Sequence, residues 1–382
     1  MISTTACVTG ASGFVGTHVT GALLERGHTV RATVRDAADA DKTAHLAALA
    51  EGLPGILELH SADLMRPGSF DPIVQGCQQV YHVASAVYLS AKDPQRQIVD
   101  PALQGTENVL SAVARASTVQ ALGVASSVTA VVQIEARPGY TYTEADWNSD
   151  ATLEQSPYPL SKTLAERAVW RWHAALPAER RLPLTVVNPV FILGPVHARV
   201  HMRTSPSIAR RVLLSAYGGC PRISFPIVDV RDVADALLAG VERGATGRYL
   251  LHSASLWMRE IAQILAPAFP EYRVRTLPLP DPLMYAAALF DKQISLAWAR
   301  NNLNKRALID ASKVTRELGI RPRPARDSVL DTISSCVELG LVSPERVKHS
   351  PLDGLLQALE RRLPALERWG QRVPGVGRLL GL

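Results

Sequence analysis

Tyr158 and Lys162, in the run Tyr-Pro-Leu-Ser-Lys, set a phenol and an ammonium four residues apart. On a helix such residues share a face, so the two groups stand side by side. An ammonium there favours the phenolate and draws the tyrosine pKa toward working pH, as a general acid or base requires. Ser126 and Ser127 end an apolar run that begins at Ala121, and a hydroxyl from that strand end can hold a carbonyl oxygen. Well upstream, Gly10, Gly13 and Gly16 recur at i, i+3 and i+6. A tyrosine and lysine at this spacing occur by chance in many chains and usually form a solvated helix edge. Following a glycine turn and a serine-ended strand, they point to hydride transfer at a carbonyl or alcohol carbon.

These groups need a scaffold, and the surrounding pattern supplies one. Ala6–Thr9 reads as a short strand, and helical spacing runs from Val15 to Arg26. Strand, glycine turn and helix in that order form a dinucleotide fingerprint. Gly10 permits the tight turn, Gly13 lets a pyrophosphate approach the backbone, and Gly16 lets helix and strand pack closely. The helix N-terminus, with its N–H groups and positive dipole end, then faces the phosphates. Thr29–Val34 makes a second strand, followed by Arg35, Asp36 and, further on, Lys42. A guanidinium at that strand end pairs with a 2′-phosphate and selects NADP(H). Alternatively Arg35 is solvated and Asp36 reads the ribose. Ile56–His60 leads into Asp63, which can accept from adenine or cap a helix, and Gln79–Val83 leads into the small residues Ala84 and Ser85. Strands alternating with helices up to Val187 predict an α/β chain with a doubly wound parallel sheet covered on both faces.

Composition narrows the class. The chain has 382 residues, 47% of them hydrophobic, enough for a large core and two domains. Cys7, Cys77, Cys220 and Cys336 are widely spaced, which suggests neither a disulfide framework nor a zinc site. His197 and His201 lack a third ligand, so no metal is expected. The net charge of +6 is weak evidence for nucleic acid, because about half of it lies in the last 42 residues and no basic stripe carries interleaved aromatics. With no basic start followed by an apolar run, and no apolar stretch of about 20 residues, the expected location is cytoplasmic.

The segments TGASGFVG, VRATVRD, SSVTAV, YPLSK, NPVFILGP and VDVRDVADA together resemble the extended short-chain dehydrogenases/reductases. The likeness is to the dihydroflavonol reductase-like branch, which includes bacterial aldehyde and ketone reductases, and it runs from about residue 4 to about 342. It implies a Rossmann domain, a smaller substrate domain and a triad of Ser127, Tyr158 and Lys162, with Ser127 preferred over Ser126. It also implies cofactor contacts from Gly10, Ala11, Ser12, Gly13, Phe14, Val15 and Gly16, and from Arg35 and Lys42 at the 2′-phosphate. Asp63 and Leu64 would lie at the adenine, Val83, Ala84 and Ser85 near the ribose, and Pro189 and Val190 near the nicotinamide. Ser207 fits an expected serine further on, and hydride delivery is of the B-face type. One departure matters. Cinnamoyl-CoA reductases carry an aromatic- and cysteine-rich sequence around their tyrosine, whereas Glu-Gln-Ser-Pro precedes Tyr158 here, which disfavours a CoA thioester.

Domain boundaries are expected at 1–185 for the NADP(H)-binding domain, with 225–245 returning to it, and at 186–340 for a substrate domain drawn mainly from 186–224 and 246–340. Val128–Val132, Phe191, Ile192, Met202–Ser207 and Tyr217–Pro221 are candidate pocket walls, mostly apolar, which favours a hydrophobic or aromatic carbonyl substrate over a sugar. Residues 341–382 form a basic amphipathic tail, with leucines near helical spacing and arginines between them. Such a tail docks on its own domain, on a second copy in a homodimer, or on an anionic membrane surface. The expected activity is NADPH-dependent reduction of an aldehyde or ketone. The alternatives are a hydroxysteroid-type or other secondary-alcohol dehydrogenase working oxidatively, and a dinucleotide-sensing protein without chemistry.

Overall fold

The computed structural model describes residues 4–85, 91–282, 284–285 and 300–344. The amphipathic tail lies outside the described residues from position 345 onward. No helix among the described residues is long and apolar enough to cross a membrane.

The chain forms two compact units, the first comprising Met1–Val190, Val228–His252 and Ala307–Pro322. It opens with β1 (Thr5–Thr9), α1 (Phe14–Glu25), β2 (Thr29–Val34), α2 (Ala40–Ala50) and β3 (Ile56–Ser61). Then come α3 (Asp71–Val74), β4 (Gln79–His82), α4 (Asp100–Arg115), β5 (Ala121–Ala125), β6 (Thr141–Tyr142), α5 (Pro157–Ala175) and β7 (Leu184–Pro189). The described residues of the second unit fall within Phe191–Ile227, Ser253–Arg306 and residues 323–344. It begins with β8 (Phe191–Leu193), α6 (Pro206–Leu213), β9 (Cys220–Pro221) and most of β10 (Ser224–Asp229). Chain order then returns to the first unit with α7 (Val230–Glu242) and β11 (Gly247–Leu251).

Seven parallel strands in the order β11-β7-β5-β4-β1-β2-β3 make the sheet of the first unit. Central strands of such a sheet are covered on both faces and carry no polar alternation. In β7, Leu-Thr-Val-Val-Asn-Pro, all six residues are buried. The edge strand β3 has no fully buried residue. The pairs α1–α7 and α4–α5 pack on the sheet. From β1 the order runs one way through β2 and β3 and the other way through β4, β5, β7 and β11. Ligands of open α/β sheets bind at the carboxyl ends of the strands where that reversal occurs. Here it falls between β1 and β4.

In the second unit β12 (Ala254–Trp257), β10 and β8 form a three-stranded sheet, while β9 pairs with β13 (Pro278–Leu279). The Phe191 and Phe225 rings lie 5.4 Å apart between centroids. After β14 (Leu308–Ile309) and α9 (Ser312–Leu318), which belong to the first unit, α10 (Ala325–Glu338) packs with α6 and α8 (Met258–Ala268). Thr332 and Ser335 of α10 accept the backbone N–H groups of Gly194 (2.7 Å) and Val196 (2.9 Å).

Two details differ from the expected division. The first unit extends to Val190, because Val190 donates to the Leu251 carbonyl at 3.1 Å and continues the β7–β11 pairing. Residues 307–322, expected in the substrate domain, belong to the first unit: β14 pairs with β6, and Lys313 donates to the Arg248 carbonyl at 3.0 Å.

Candidate active site

Tyr158 is the second residue of α5, and Pro157 ahead of it presets the helical backbone at the first position. One turn later Lys162 is buried, its Nζ 5.8 Å from the Tyr158 ring centroid. The ammonium donates to Ser85 Oγ at 2.9 Å, which ties it to the loop after β4. From the other side Ser127, two residues past β5, lies close enough to the Tyr158 phenol to favour its ionised form. The Ser127 Oγ also accepts from Thr129 N (3.2 Å) and Thr129 Oγ1 (3.0 Å), which fixes its position. Phenol, serine and ammonium therefore meet where β4, β5 and α5 converge.

The electrostatics correct one expectation. With Lys162 one turn away, the Tyr158 pKa still does not fall below its ordinary value. Burial pushes it above the usual value near 10, and the nearby Ser127 only partly offsets this. Burial instead acts on the lysine, lowering it to about 8 against the opposing charge of Glu166. The phenol thus stands protonated and the ammonium charged at neutral pH. Nearby, His82 is fully buried and held down at about 4, chiefly by burial and secondarily by the Lys162 charge. Its Nδ1 lies 2.9 Å from the Thr9 hydroxyl, and its Nε2 lies 3.4 Å from that of Thr106.

The glycine turn fits a dinucleotide pyrophosphate. Gly10 has φ +68°, and a Cβ there would lie 2.7 Å from Ala84 Cα, so the turn after β1 rests directly on the end of β4. A Cβ on Gly16 would lie 2.2 Å from the Gly10 carbonyl oxygen. Gly13 differs: it is exposed, and a Cβ would meet only the Gly10 oxygen, at 3.2 Å. It is the N-cap of α1 and brings no side chain to the first turn, leaving that approach open. Ala11 N donates to Thr33 O at 3.0 Å, anchoring the turn to β2, while Ser12 and Val15 are half-buried and Phe14 is buried.

The remaining candidates fall in several places. Arg35 is exposed at the end of β2 and makes no hydrogen bond or ion pair among the described residues. Lys42 is ion-paired with Asp39, three residues earlier on the same helix start, so its charge is already partnered. Asp36 accepts from Ala38 N at 3.0 Å. Asp63 accepts from Met65 N at 2.9 Å, the local turn role that competes with adenine binding. Leu64, Ala84, Ser85 and Lys162 line one small cavity. Val83 is half-buried just before Ala84; Pro189 and Val190 are buried at the end of β7. Ser207 lies in the second unit, where its hydroxyl donates to Thr204 O at 2.7 Å. Of the proposed walls, Ala130 and Val131 are wholly buried and Val131 packs with Tyr142 and Leu250, so they are core. Among the described residues, no three His, Cys, Asp or Glu side chains are grouped to hold a metal ion.

Sequence reading missed Glu166, Asn188, Arg248 and His82. Glu166 had a signal, because Tyr158, Lys162 and Glu166 continue one i, i+4, i+8 face. Arg248 had none.

Comparison with known proteins gives the family. Residues 6–250 match the NAD dependent epimerase/dehydratase family. A cinnamoyl-CoA reductase, CAD2, of Medicago truncatula is 36% identical over 273 residues, covering 70% of this chain and 82% of that protein. A bifunctional dihydroflavonol 4-reductase/flavanone 4-reductase of Malus domestica is 33% identical over 285 residues, covering 72% and 79% respectively. Among solved structures, Gre2 of Candida albicans in complex with NADPH superposes with a TM-score of 0.71 at 27% identity, covering 88% of this chain and 99% of that one. The chain belongs to the NAD dependent epimerase/dehydratase family, the extended short-chain dehydrogenases/reductases, and is an NAD(P)-dependent oxidoreductase.

Proposed function

We propose that the protein reduces an aldehyde or ketone on a hydrophobic or aromatic small molecule, with NADPH as reductant. The observation that carries this reading is the Tyr158 phenol, kept protonated by burial, with the buried Lys162 ammonium 5.8 Å from its ring centroid and Ser127 beside it. Reduction needs a proton donor, and an alcohol oxidation would need the phenolate that burial disfavours here. The named activities of the cinnamoyl-CoA and dihydroflavonol reductases, both on aromatic compounds, support the substrate class.

Residues Gly10–Gly16 would hold the pyrophosphate, Arg35 the 2′-phosphate, and Ser85 with Lys162 the nicotinamide-side ribose. The dinucleotide, when bound, supplies the hydride. Ser127 Oγ–H orients the carbonyl oxygen by donating to it. Tyr158 Oη then gives its proton to that oxygen as negative charge develops. Lys162, held by Ser85, keeps a positive charge beside the phenolate left behind and lowers the cost of that transfer.

Tyr158→Phe is expected to lower kcat by about 10²–10⁴-fold with NADPH affinity unchanged. Stopped-flow turnover and fluorescence titration check this on a panel of aromatic aldehydes, diketones, steroids and cinnamoyl-CoA. Turnover by the variant equal to the parent's would sink the mechanism. Running the panel with NADH tests Arg35.

For the tail we carry forward docking on an anionic membrane surface as a proposal of composition alone. Full-length protein should sediment with phosphatidylserine vesicles better than a version ending at Val342, and equal sedimentation removes the proposal.

A further inference from the structure

Glu166 follows Lys162 by one turn of α5, and its side chain has no exposed surface. Both carboxylate oxygens are used twice. Oε2 accepts from Ser126 Oγ (2.5 Å) and Asn188 Nδ2 (2.6 Å). Oε1 accepts from Arg248 Nε (2.6 Å) and Trp170 Nε1 (3.3 Å). The same Asn188 amide donates to the Ser127 carbonyl oxygen at 3.1 Å. Arg248 is itself held by the Glu144 (2.8 Å) and Asp146 (2.6 Å) carbonyls, with its guanidinium 3.9 Å from the Trp147 ring centroid.

A buried ion pair of this kind rarely stabilises more than apolar packing of equal volume would. All four bonds to the carboxylate are made, which holds it in one defined geometry, while Asn188 Oδ1 and Arg248 Nη2 are buried without a partner among the described residues. The branches of this network end on Ser126, on the backbone of Ser127 and, through Arg248, on β11. A cavity of about 20 Å³, room for one water, is lined by Glu166, Lys162, Ser85, Ser126, His82 and Thr106 among others. Glu166 and Lys162 therefore border the same small cavity, and the Glu166 charge favours the charged form of the lysine.

We propose that Glu166 is a positioning residue for carbonyl reduction: it fixes the Ser126–Ser127 corner through Asn188 and holds a negative charge near the Lys162 ammonium. This rests on the carbonyl-reductase reading. The groups around Lys162 are Tyr158 and Glu166 on its own helix, His82 on β4, Ser85 after β4, and Arg248 behind Glu166 on β11. His82 is neutral at working pH, so Glu166 is the anion that counters the burial of the lysine.

The test compares the full-length parent with Glu166→Gln, Glu166→Asp and the double variant Glu166→Gln/Arg248→Met. Glu166→Gln is expected to lose about 10–100-fold in kcat with KM for NADPH within about twofold, and its alkaline loss of activity should move to lower pH. Glu166→Asp should recover part of both. The double variant removes the lone buried arginine, so its melting temperature should return toward the parent's while kcat and the alkaline limb stay displaced. Two results overturn the proposal: a folded Glu166→Gln with parental kcat and limb, or a double variant whose kcat recovers together with its stability. A parent without turnover on the whole panel would overturn the reading beneath it, and the role of Glu166 with it.

Discussion

At the scale of single residues, two neighbouring serines have different assignments. Ser126 gives its hydroxyl to Glu166, whereas Ser127 meets the phenol. Family likeness favours Ser127, and the hydrogen bonds supply a physical reason: Ser126 is already committed. The lysine sets the pH behaviour. With its pKa lowered to about 8, Lys162 is charged below that pH and neutral above it. Its charge stabilises the phenolate left after proton transfer, so kcat/KM for reduction should be flat near neutrality and fall above about pH 8. A profile that stays flat a full unit or more beyond that point would contradict the assignment. Tyr158 and Lys162 were legible because four-residue spacing is a local property of a helix. Glu166 shares that spacing yet reads as one more solvated charge, since glutamates are almost never fully buried unless paired. Its partner Arg248 lies 82 residues away, a pairing set by strand order rather than by any local pattern. Lys42 is ion-paired with Asp39 three residues earlier, a local contact that its distance from Arg35 does not announce.

At the scale of elements, the glycine turn separates folding from binding. Gly16 and Gly13 look alike in the fingerprint, but a Cβ at the first would collide with the Gly10 carbonyl oxygen at 2.2 Å whereas one at the second would meet it at 3.2 Å, a tight contact that a shift of a few tenths of an ångström relieves. Gly16→Ala should cost about 1–3 kcal/mol and lower the melting temperature by roughly 2–10 °C. Gly13→Ala, whose φ of −81° suits alanine, should melt within about 2 °C of the parent and still lose at least about tenfold in NADPH affinity. Calorimetry and fluorescence titration on the two variants check the contrast. The strands and helices around this turn were readable because each is a short periodic run. Thr29–Val34 stands where its β-branched pattern puts it. The segment 307–322 was not readable in this way, because β14 is two residues long and its partner β6 is equally short. Neither carries a period of its own.

At the scale of the whole molecule, the first unit assembles from three stretches of chain, and the last strand to join its sheet brings the arginine that pairs with Glu166. Removing one partner of a buried pair leaves an uncompensated charge, so Arg248→Met alone should destabilise by about 3–5 kcal/mol. Denaturant midpoints on the full-length protein measure this, and a midpoint unchanged from the parent would show that the pair is not held dry. The same separation has a meaning during protein synthesis. At roughly 5–20 residues per second, the ribosome releases Glu166 about 4–16 seconds ahead of Arg248, 82 residues later. Through that interval the nascent chain already owns its phenol, its ammonium and both serines. The corner that aims them is still waiting for its counterion, so translation itself times when the enzyme can become one.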